Sequence, residues 1–157
     1  ITGEEIADEG EIIGVTTVNE CTSSFVSSIG IISQHPFLFN DTVRYNLTLG
    51  QEFSEEELLA VLKQVKLDFE LTGGMDFIIK NNGENISGGQ RVRIELARFL
   101  LRKKNLLLAD EVTAPLDKEN AFMVHELLFS LPVMMLEIAH HIDDESRYQQ
   151  VVDLGKY

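Results

Sequence analysis

The feature that most constrains the fold of this chain is the alternation of short apolar segments with helical ones. Three apolar segments are typical of buried strands: IGII, which ends near Gln34, NLLLA, which ends at Asp110, and VMMLEIA, which ends at His140. Strands that alternate with helices predict an α/β fold with a mostly parallel sheet. Because these strands are apolar throughout, we expect both faces of the sheet to be covered.

Other segments extend this pattern. GEIIGVTTV at residues 10–18 predicts a strand or hairpin, and QQVVDL at residues 149–154 predicts a last strand. A short helix follows the loop after Gln34, with Asn40 or Asp41 as its cap. The other predicted helices span residues 54–65, 90–101 and 118–128. Ser54 and Glu57 form a capping box at the start of the first of these.

Four polar residues follow the predicted strands, and a parallel sheet gathers such residues at one edge, where α/β proteins bind ligands. They are Gln34, Asp110, Glu111 and His140. Asp110 could hold a magnesium ion through its water shell, while Glu111 could orient or deprotonate an attacking water. The alternatives are two surface acids after a core strand and a structural histidine. The convergence of all four favours a ligand site.

The stretch NISGGQ places two glycines at the start of a strongly helical segment. Ser87 and Gln90 fit a capping box, which leaves Gly88 and Gly89 unexplained because glycine destabilises a helix relative to alanine. Free backbone N–H groups at a helix N-terminus bind anions. Local chemistry therefore leaves two interpretations open, plain helix capping and phosphate binding.

Charge and cysteine content exclude several classes of protein. With 13 basic and 26 acidic residues the net charge is −13, which disfavours binding to nucleic acid. The lone Cys21 allows neither an internal disulfide nor a zinc site of its own, so a cytosolic setting is expected. The longest apolar stretch, residues 127–136, is too short to cross a bilayer.

In their order along the chain, these segments resemble the nucleotide-binding domain of ABC transporters. ISGGQRVRIELARFLL resembles the family signature, and LLLADEVTAPLD resembles Walker B, the catalytic glutamate and the D-loop. Gln34 corresponds to the Q-loop glutamine and His140 to the switch histidine. The segments FLFNDTVRYNLTLG and NNGEN are similar to the exporter branch, in which this domain is fused to transmembrane helices.

The resemblance implies an ATPase that uses ATP and Mg²⁺ at the cytoplasmic face of a membrane transporter. Glu111 and His140 would be catalytic, and Asp110 and Gln34 would serve the metal. In a head-to-tail dimer with a second nucleotide-binding domain, the signature would face the γ-phosphate held by the partner, with Asp117 at the seam. The signature residues are Ser87, Gly88, Gly89 and Gln90. Gln34 would also link the site to the transmembrane domain.

One motif of the family is missing. The Walker A loop, G-x-x-x-x-G-K-[ST], does not occur in these 157 residues, and the first residues resemble the segment that follows it. We therefore expect residues 1–157 to be a partial, N-terminally truncated nucleotide-binding domain of the P-loop NTPase type. The Q-loop and helical signature subdomain would fall within about 35–110, and the Walker B to switch-histidine core within 106–157. The fragment alone would be soluble and inactive.

Two other functions are compatible with the motifs. The first is a soluble ABC-type ATPase that acts on DNA or ribosomes, which the acidic charge and the exporter-like segment disfavour. The second is a non-catalytic module that completes the ATP site of a partner, which the intact Glu111 and His140 disfavour.

Overall fold

The computed structural model describes residues 28–67, 73–142 and 144–156. Its regular elements are β1 (Ile29–Ile32), α1 (Val43–Thr48), α2 (Glu55–Gln64), α3 (Gly88–Leu101), β2 (Leu106–Asp110), α4 (Lys118–Ser130) and β3 (Met134–Ile138). Four short 3-10 turns accompany them, at Gly74–Asp76, Asn81–Gly83, Glu145–Arg147 and Leu154–Lys156. The expected strand or hairpin at residues 10–18 lies outside the described residues.

Within the described residues the sheet has three strands in the order β1-β2-β3, and both strand pairs are parallel. Ile32 is level with Ala109, and Asp110 is level with Ile138. The helices α1, α2 and α3 lie between β1 and β2 along the chain, and α4 connects β2 to β3. This confirms the predicted α/β fold with a parallel sheet.

The core lies between the sheet and α3, which packs against β1, α1, α2 and α4. Apolar residues of α3 alternate with buried arginines, and Ile94, Leu96 and Ala97 are fully hidden from solvent. Gly30 in β1 lies against the ring of Phe99, so that any side chain at position 30 would overlap it. The close approach of strand and helix at this point fixes where α3 begins relative to the sheet edge.

Both predicted capping boxes are present. Ser54 caps α2 with Glu57 as its partner, and Ser87 caps α3 with Gln90 as its partner. The cap of α1 is Thr42, whose hydroxyl accepts from Tyr45 N at 3.0 Å. The prediction of Asn40 or Asp41 as this cap was wrong, because Asp41 instead accepts a hydrogen bond from Thr42 N.

One strand prediction needs correction. Residues 149–154 form no strand and are exposed in the structure, because no strand in the described part of the chain pairs with them. Within the described residues, Ile31, Met134, Leu136 and Ile138 of the sheet are exposed, with Met134 at 73%. Coverage of both faces of the sheet stays a prediction.

Candidate functional site

Glu111 lies at the centre of the candidate site. It follows β2 directly and has a φ of 47°, a left-handed conformation that is uncommon for a residue with a side chain. Its N–H donates to Ile138 O at 2.9 Å, and its own carbonyl accepts from Ala114 N at 3.1 Å. These bonds turn the chain sharply at the end of β2 and hold the carboxylate of Glu111 at the edge of the sheet.

Residues from the two neighbouring strands contact this carboxylate. Gln34 Nε2 donates to Glu111 Oε2 at 3.1 Å, across 77 positions of sequence. His140 Nε2 lies 2.8 Å from Glu111 Oε1. Gln34 and His140 each lie two residues beyond the end of their strand, so the parallel register brings them to either side of the central Glu111.

The three side chains differ in their access to solvent. The His140 side chain is 85% exposed, whereas that of Glu111 is 23% exposed. Asp110, the last residue of β2, is exposed beside them. Glu111 is thus a partly enclosed acceptor between two donors, next to an open carboxylate.

The signature helix α3 begins with the capping box. Gln90 N donates to Ser87 Oγ at 3.1 Å, and Ser87 N donates to Gln90 Oε1 at 3.0 Å. Gly88 is exposed and Gly89 is buried. Of the two glycines, only Gly88 presents its backbone to the surface.

The structure adds a third reason for the two glycines, which is packing. A Cβ on Gly88 would lie 2.8 Å from Leu116 Cδ2, and a Cβ on Gly89 would lie 2.5 Å from Asn120 Oδ1. A Cβ at position 89 would meet a side chain that Asp117 holds in place, so α3 approaches the start of α4 this closely because Gly89 has no Cβ atom. At position 88 the contact is with the flexible end of Leu116, which can shift. Sequence reasoning had considered capping and phosphate binding and had missed this contact.

Asp117 and Asn120 connect the start of α4 to the signature. Asp117 caps α4 and accepts from Asn120 N at 2.9 Å and from Asn120 Nδ2 at 2.7 Å. These bonds, the backbone one first, hold the pKa of Asp117 below its ordinary value. The same Asn120 side chain covers Gly89. The predicted seam residue Asp117 therefore contacts the signature through one intervening side chain.

The segment after Gln34 is held by two buried polar residues. Asn46 Oδ1 accepts from Phe39 N at 2.8 Å and from Arg98 Nη2 at 2.9 Å. Arg98 Nη1, from the signature helix, donates to Phe37 O at 2.7 Å. This network ties the segment that carries the aromatic rings to α3.

The rings themselves point outward. Phe37 and Phe39 contact each other edge-to-face at 5.1 Å, and Phe39 contacts Tyr45 at 5.7 Å. All three are exposed. Hydrogen bonds from Phe39 N to Asn46 and from Arg98 to Phe37 O hold the backbone of this segment and leave both phenylalanine rings at the surface.

Glu137 is a buried acid near the site, and sequence reasoning did not single it out. The Glu137 side chain, on β3, is 3% exposed and lies 2.9 Å from His125 Nε2. It also accepts a hydrogen bond from the Tyr148 hydroxyl at 2.6 Å. Burial alone would raise the pKa of Glu137, but these two hydrogen bonds outweigh it and hold the pKa below its usual value. The one signal in the sequence is a glutamate within the apolar stretch VMMLEIA.

A cleft of about 670 Å³ brings residues of the candidate site together with the two partners of Glu137. Its lining includes Glu111, His140 and His141 as well as His125, Phe129 and Tyr148. Burial and the bond to Glu137 raise the pKa of Tyr148, so its hydroxyl stays protonated and acts as a donor. His125 contacts both Glu137 and the Phe129 ring, whose centroid lies 6.1 Å from its own.

Two features are absent from the described residues. No group of three or more histidine, cysteine, aspartate or glutamate side chains there could hold a metal ion. No helix in the described part of the chain combines the length and apolar character that crossing a bilayer requires.

Comparison with solved structures defines the class of fold. A bacterial Atm1-family ABC exporter with ATP bound matches with a TM-score of 0.64 and 31% identity, covering 74% of this chain and 22% of the exporter chain. The protein thus has the α/β fold of P-loop NTPases in its ABC form. Residues 1–114 match the family described as ABC transporter. The chain belongs to the ABC transporter family.

Curated relatives agree with this assignment. The ATP-dependent lipid A-core flippase of Francisella tularensis subsp. holarctica (strain OSU18) is 39% identical over 153 residues, which cover 92% of this chain and 25% of the flippase. The uncharacterized ABC transporter ATP-binding protein YwjA of Bacillus subtilis (strain 168) is 30% identical over 174 residues, with 95% and 30% covered. The chain thus spans less than a third of the length of these relatives.

Proposed function

We propose that this chain is part of the ATP-hydrolysing domain of an ABC exporter, which couples ATP hydrolysis to movement of a substrate across a membrane. The observation that carries the proposal is the Glu111 carboxylate between Gln34 Nε2 at 3.1 Å and His140 Nε2 at 2.8 Å. The similarity to lipid A-core flippases and to an Atm1-family exporter supports it. The flippase relatives favour a lipid as the class of cargo.

The residues at the sheet edge fit the proposed cofactors, ATP and Mg²⁺. Magnesium prefers oxygen ligands from one or two carboxylates together with phosphates and water. Asp110 offers an exposed carboxylate, and Gln34 has an amide oxygen in addition to the N–H group that contacts Glu111. Asp110 and Gln34 would hold the ion, which neutralises charge on the transferred phosphate.

In this proposal Glu111 is the general base and His140 positions it. A carboxylate accepts a proton from an attacking water most effectively when its orientation is fixed. Gln34 and His140 supply that fixation, one on each carboxylate oxygen. Partial enclosure of Glu111 strengthens these hydrogen bonds relative to those in bulk water.

The proposed partner at the signature is a second nucleotide-binding domain in a head-to-tail dimer. Gly88 is exposed at the N-terminus of α3, where free N–H groups and the helix dipole favour a phosphate. Ser87, Gly89 and Gln90 shape this helix start through the capping box and close packing. Asp117 would lie at the dimer seam, held in place by Asn120.

The proposed partner at the aromatic rings is the transmembrane domain of the transporter, at the cytoplasmic face of the membrane. Phe37, Phe39 and Tyr45 form an exposed apolar cluster, which is typical of an interaction surface. Their backbone is anchored through Arg98 to the signature helix. A movement of the cluster would therefore reach the nucleotide site.

Hydrolysis by the complete gene product tests the general-base assignment. Because a general base contributes a factor of about 10²–10⁴, we expect Glu111→Gln to lower kcat by that factor and to leave ATP binding intact. Glu119→Gln, on the exposed first turn of α4, is the matched control and should hydrolyse ATP like the unchanged protein. Equal hydrolysis by Glu111→Gln and the control would refute the assignment.

A polypeptide limited to these 157 residues should bind Mg-ATP weakly, because they contain no G-x-x-x-x-G-K-[ST] loop to hold the phosphates. Calorimetry that gives a micromolar Kd would contradict this. The polypeptide can also be mixed with a domain that contains this loop. ATP hydrolysis by the mixture tests whether the polypeptide acts as a module that completes the ATP site of a partner.

A further inference from the structure

A hydrogen bond between the side chains of Glu137 and Tyr148 joins the two ends of the loop that carries His140. Glu137 lies three residues before His140, on β3, and Tyr148 lies eight residues after it. The Tyr148 hydroxyl donates to Glu137 Oε2 at 2.6 Å. His140 and His141 lie between them in the sequence and line the cleft.

The buried position of Glu137 would destabilise the protein if its carboxylate had no hydrogen-bond partners. Its side chain is almost fully buried, and its neighbour across the sheet is the buried Ala109. An ionised carboxylate in such a place destabilises a protein unless hydrogen bonds compensate it. Tyr148 supplies one such bond, and His125 on α4 lies within hydrogen-bond distance of the other oxygen.

The far end of the loop is anchored to α4 by more than this bond. The Tyr148 ring contacts Phe129 edge-to-face at 5.1 Å, and the Arg147 guanidinium lies 4.1 Å above the same Phe129 ring. Arg147 Nη1 also donates to Glu126 Oε1 at 2.5 Å. The chain at Arg147 and Tyr148 is therefore fixed on α4, and Glu137 joins that anchor to β3.

The His140 side chain is mostly exposed and makes few contacts that would fix its position. Its side chain is 85% exposed, and the contact with Glu111 is the hydrogen-bond partner that the structure shows for it within the described residues. An exposed imidazole keeps its place only if its backbone is restrained. One restraint is the bond from Glu111 N to Ile138 O, and the Glu137–Tyr148 bond is another.

We infer that Glu137 and Tyr148 are positioning residues that hold the His140 loop against Glu111. This inference rests on the proposed hydrolytic function of Glu111 and His140. The closure acts through the backbone of the loop, since neither Glu137 nor Tyr148 contacts Glu111.

Tyr148→Phe in the complete gene product tests this inference, because it removes only the hydroxyl and leaves the ring on Phe129. Small displacements of a catalytic group cost up to about a hundredfold in rate, so we expect kcat to fall about ten- to a hundredfold while KM for ATP changes less than about twofold. Ser54→Ala removes an exposed hydroxyl outside the cleft and should change neither constant. An unchanged kcat in Tyr148→Phe would overturn the inference.

Hydrogen–deuterium exchange without nucleotide separates this inference from the proposed function. In Tyr148→Phe, the peptide that begins at Ala139 should exchange faster, while peptides of α3 should not change. Glu137→Val, which suits an apolar strand, should give the same local effect. If exchange at Ala139 rises in the variants but the unsubstituted protein hydrolyses no ATP, the proposed function is refuted. The positioning of the His140 loop by Glu137 and Tyr148 is then still supported. Unchanged exchange at Ala139 in both variants would overturn the closure.

Discussion

Gly89 lies directly beneath Asn120, so that a Cβ at position 89 would approach Asn120 Oδ1 to 2.5 Å. Asn120 cannot move aside without breaking its bond to Asp117, in which Nδ2 lies 2.7 Å from Oδ2. The glycine therefore joins the signature helix to the start of α4 within one molecule. This intramolecular contact exists whether or not a phosphate binds at Gly88.

Alanine at position 89 should consequently destabilise the protein although alanine favours helices. We expect Gly89→Ala to cost about 1–3 kcal/mol through overpacking, which exceeds its helix-propensity gain of about 1 kcal/mol. Gly88→Ala should cost less, because it meets only a methyl group of the flexible Leu116 side chain. Apparent Tm measures both. A Gly89→Ala protein at least as stable as the unsubstituted one would show that the Asn120 side chain can move away at little cost in free energy.

The two capping boxes provide a matched pair of substitutions. Their geometry is nearly the same, with Ser54 Oγ accepting at 3.2 Å and Ser87 Oγ at 3.1 Å. We expect Ser54→Ala and Ser87→Ala to lower stability by about 1 kcal/mol each. Because only Ser87 borders the proposed phosphate site, only Ser87→Ala should also slow ATP hydrolysis. A similar slowing in Ser54→Ala would indicate that the loss reflects helix stability alone.

The parts of the site that were predictable from sequence are the local ones. Capping boxes depend on residues three positions apart, so Ser54 and Ser87 could be identified without knowledge of the fold. Strand ends were also predictable, because apolar runs stop at polar residues and parallel strands share one carboxyl edge. This is how Gln34, Glu111 and His140 could be expected to meet.

The parts that were missed depend on residues distant in sequence. Asn120 beneath Gly89 and Tyr148 beside Glu137 are contacts between separate elements, which no local pattern encodes. The predicted strand at residues 149–154 failed for the related reason that strand propensity depends on a neighbouring strand. The exposed rings of Phe37 and Phe39 likewise follow from hydrogen bonds made by the distant Arg98 and nearby Asn46.

The stability contributed by Glu137 should depend on pH. Hydrogen bonds lower its folded-state pKa, so the contribution is present above the unfolded-state pKa of about 4.3 and is lost as pH falls through the lower folded-state value. We expect Glu137→Gln to have a lower apparent Tm than the unchanged protein at neutral pH. The difference should shrink in acid below about pH 4. A difference that is constant with pH would show that the ionised form is not favoured by folding.

The adjacent histidines His140 and His141 allow the sharpest test of the geometry at Glu111. Both line the same cleft and both are exposed, but it is His140 whose Nε2 lies 2.8 Å from Glu111 Oε1. Loss of a group that positions a general base should lower kcat by about a hundredfold, so we expect this for His140→Ala in the complete gene product.

His141→Ala removes an imidazole one residue away and should retain at least about a third of the rate, as expected for a change that leaves the base positioned. Neither substitution removes buried surface, so apparent Tm should change little in either protein. Equal rates in the two variants would mean that the contact between His140 and Glu111 does not contribute to hydrolysis.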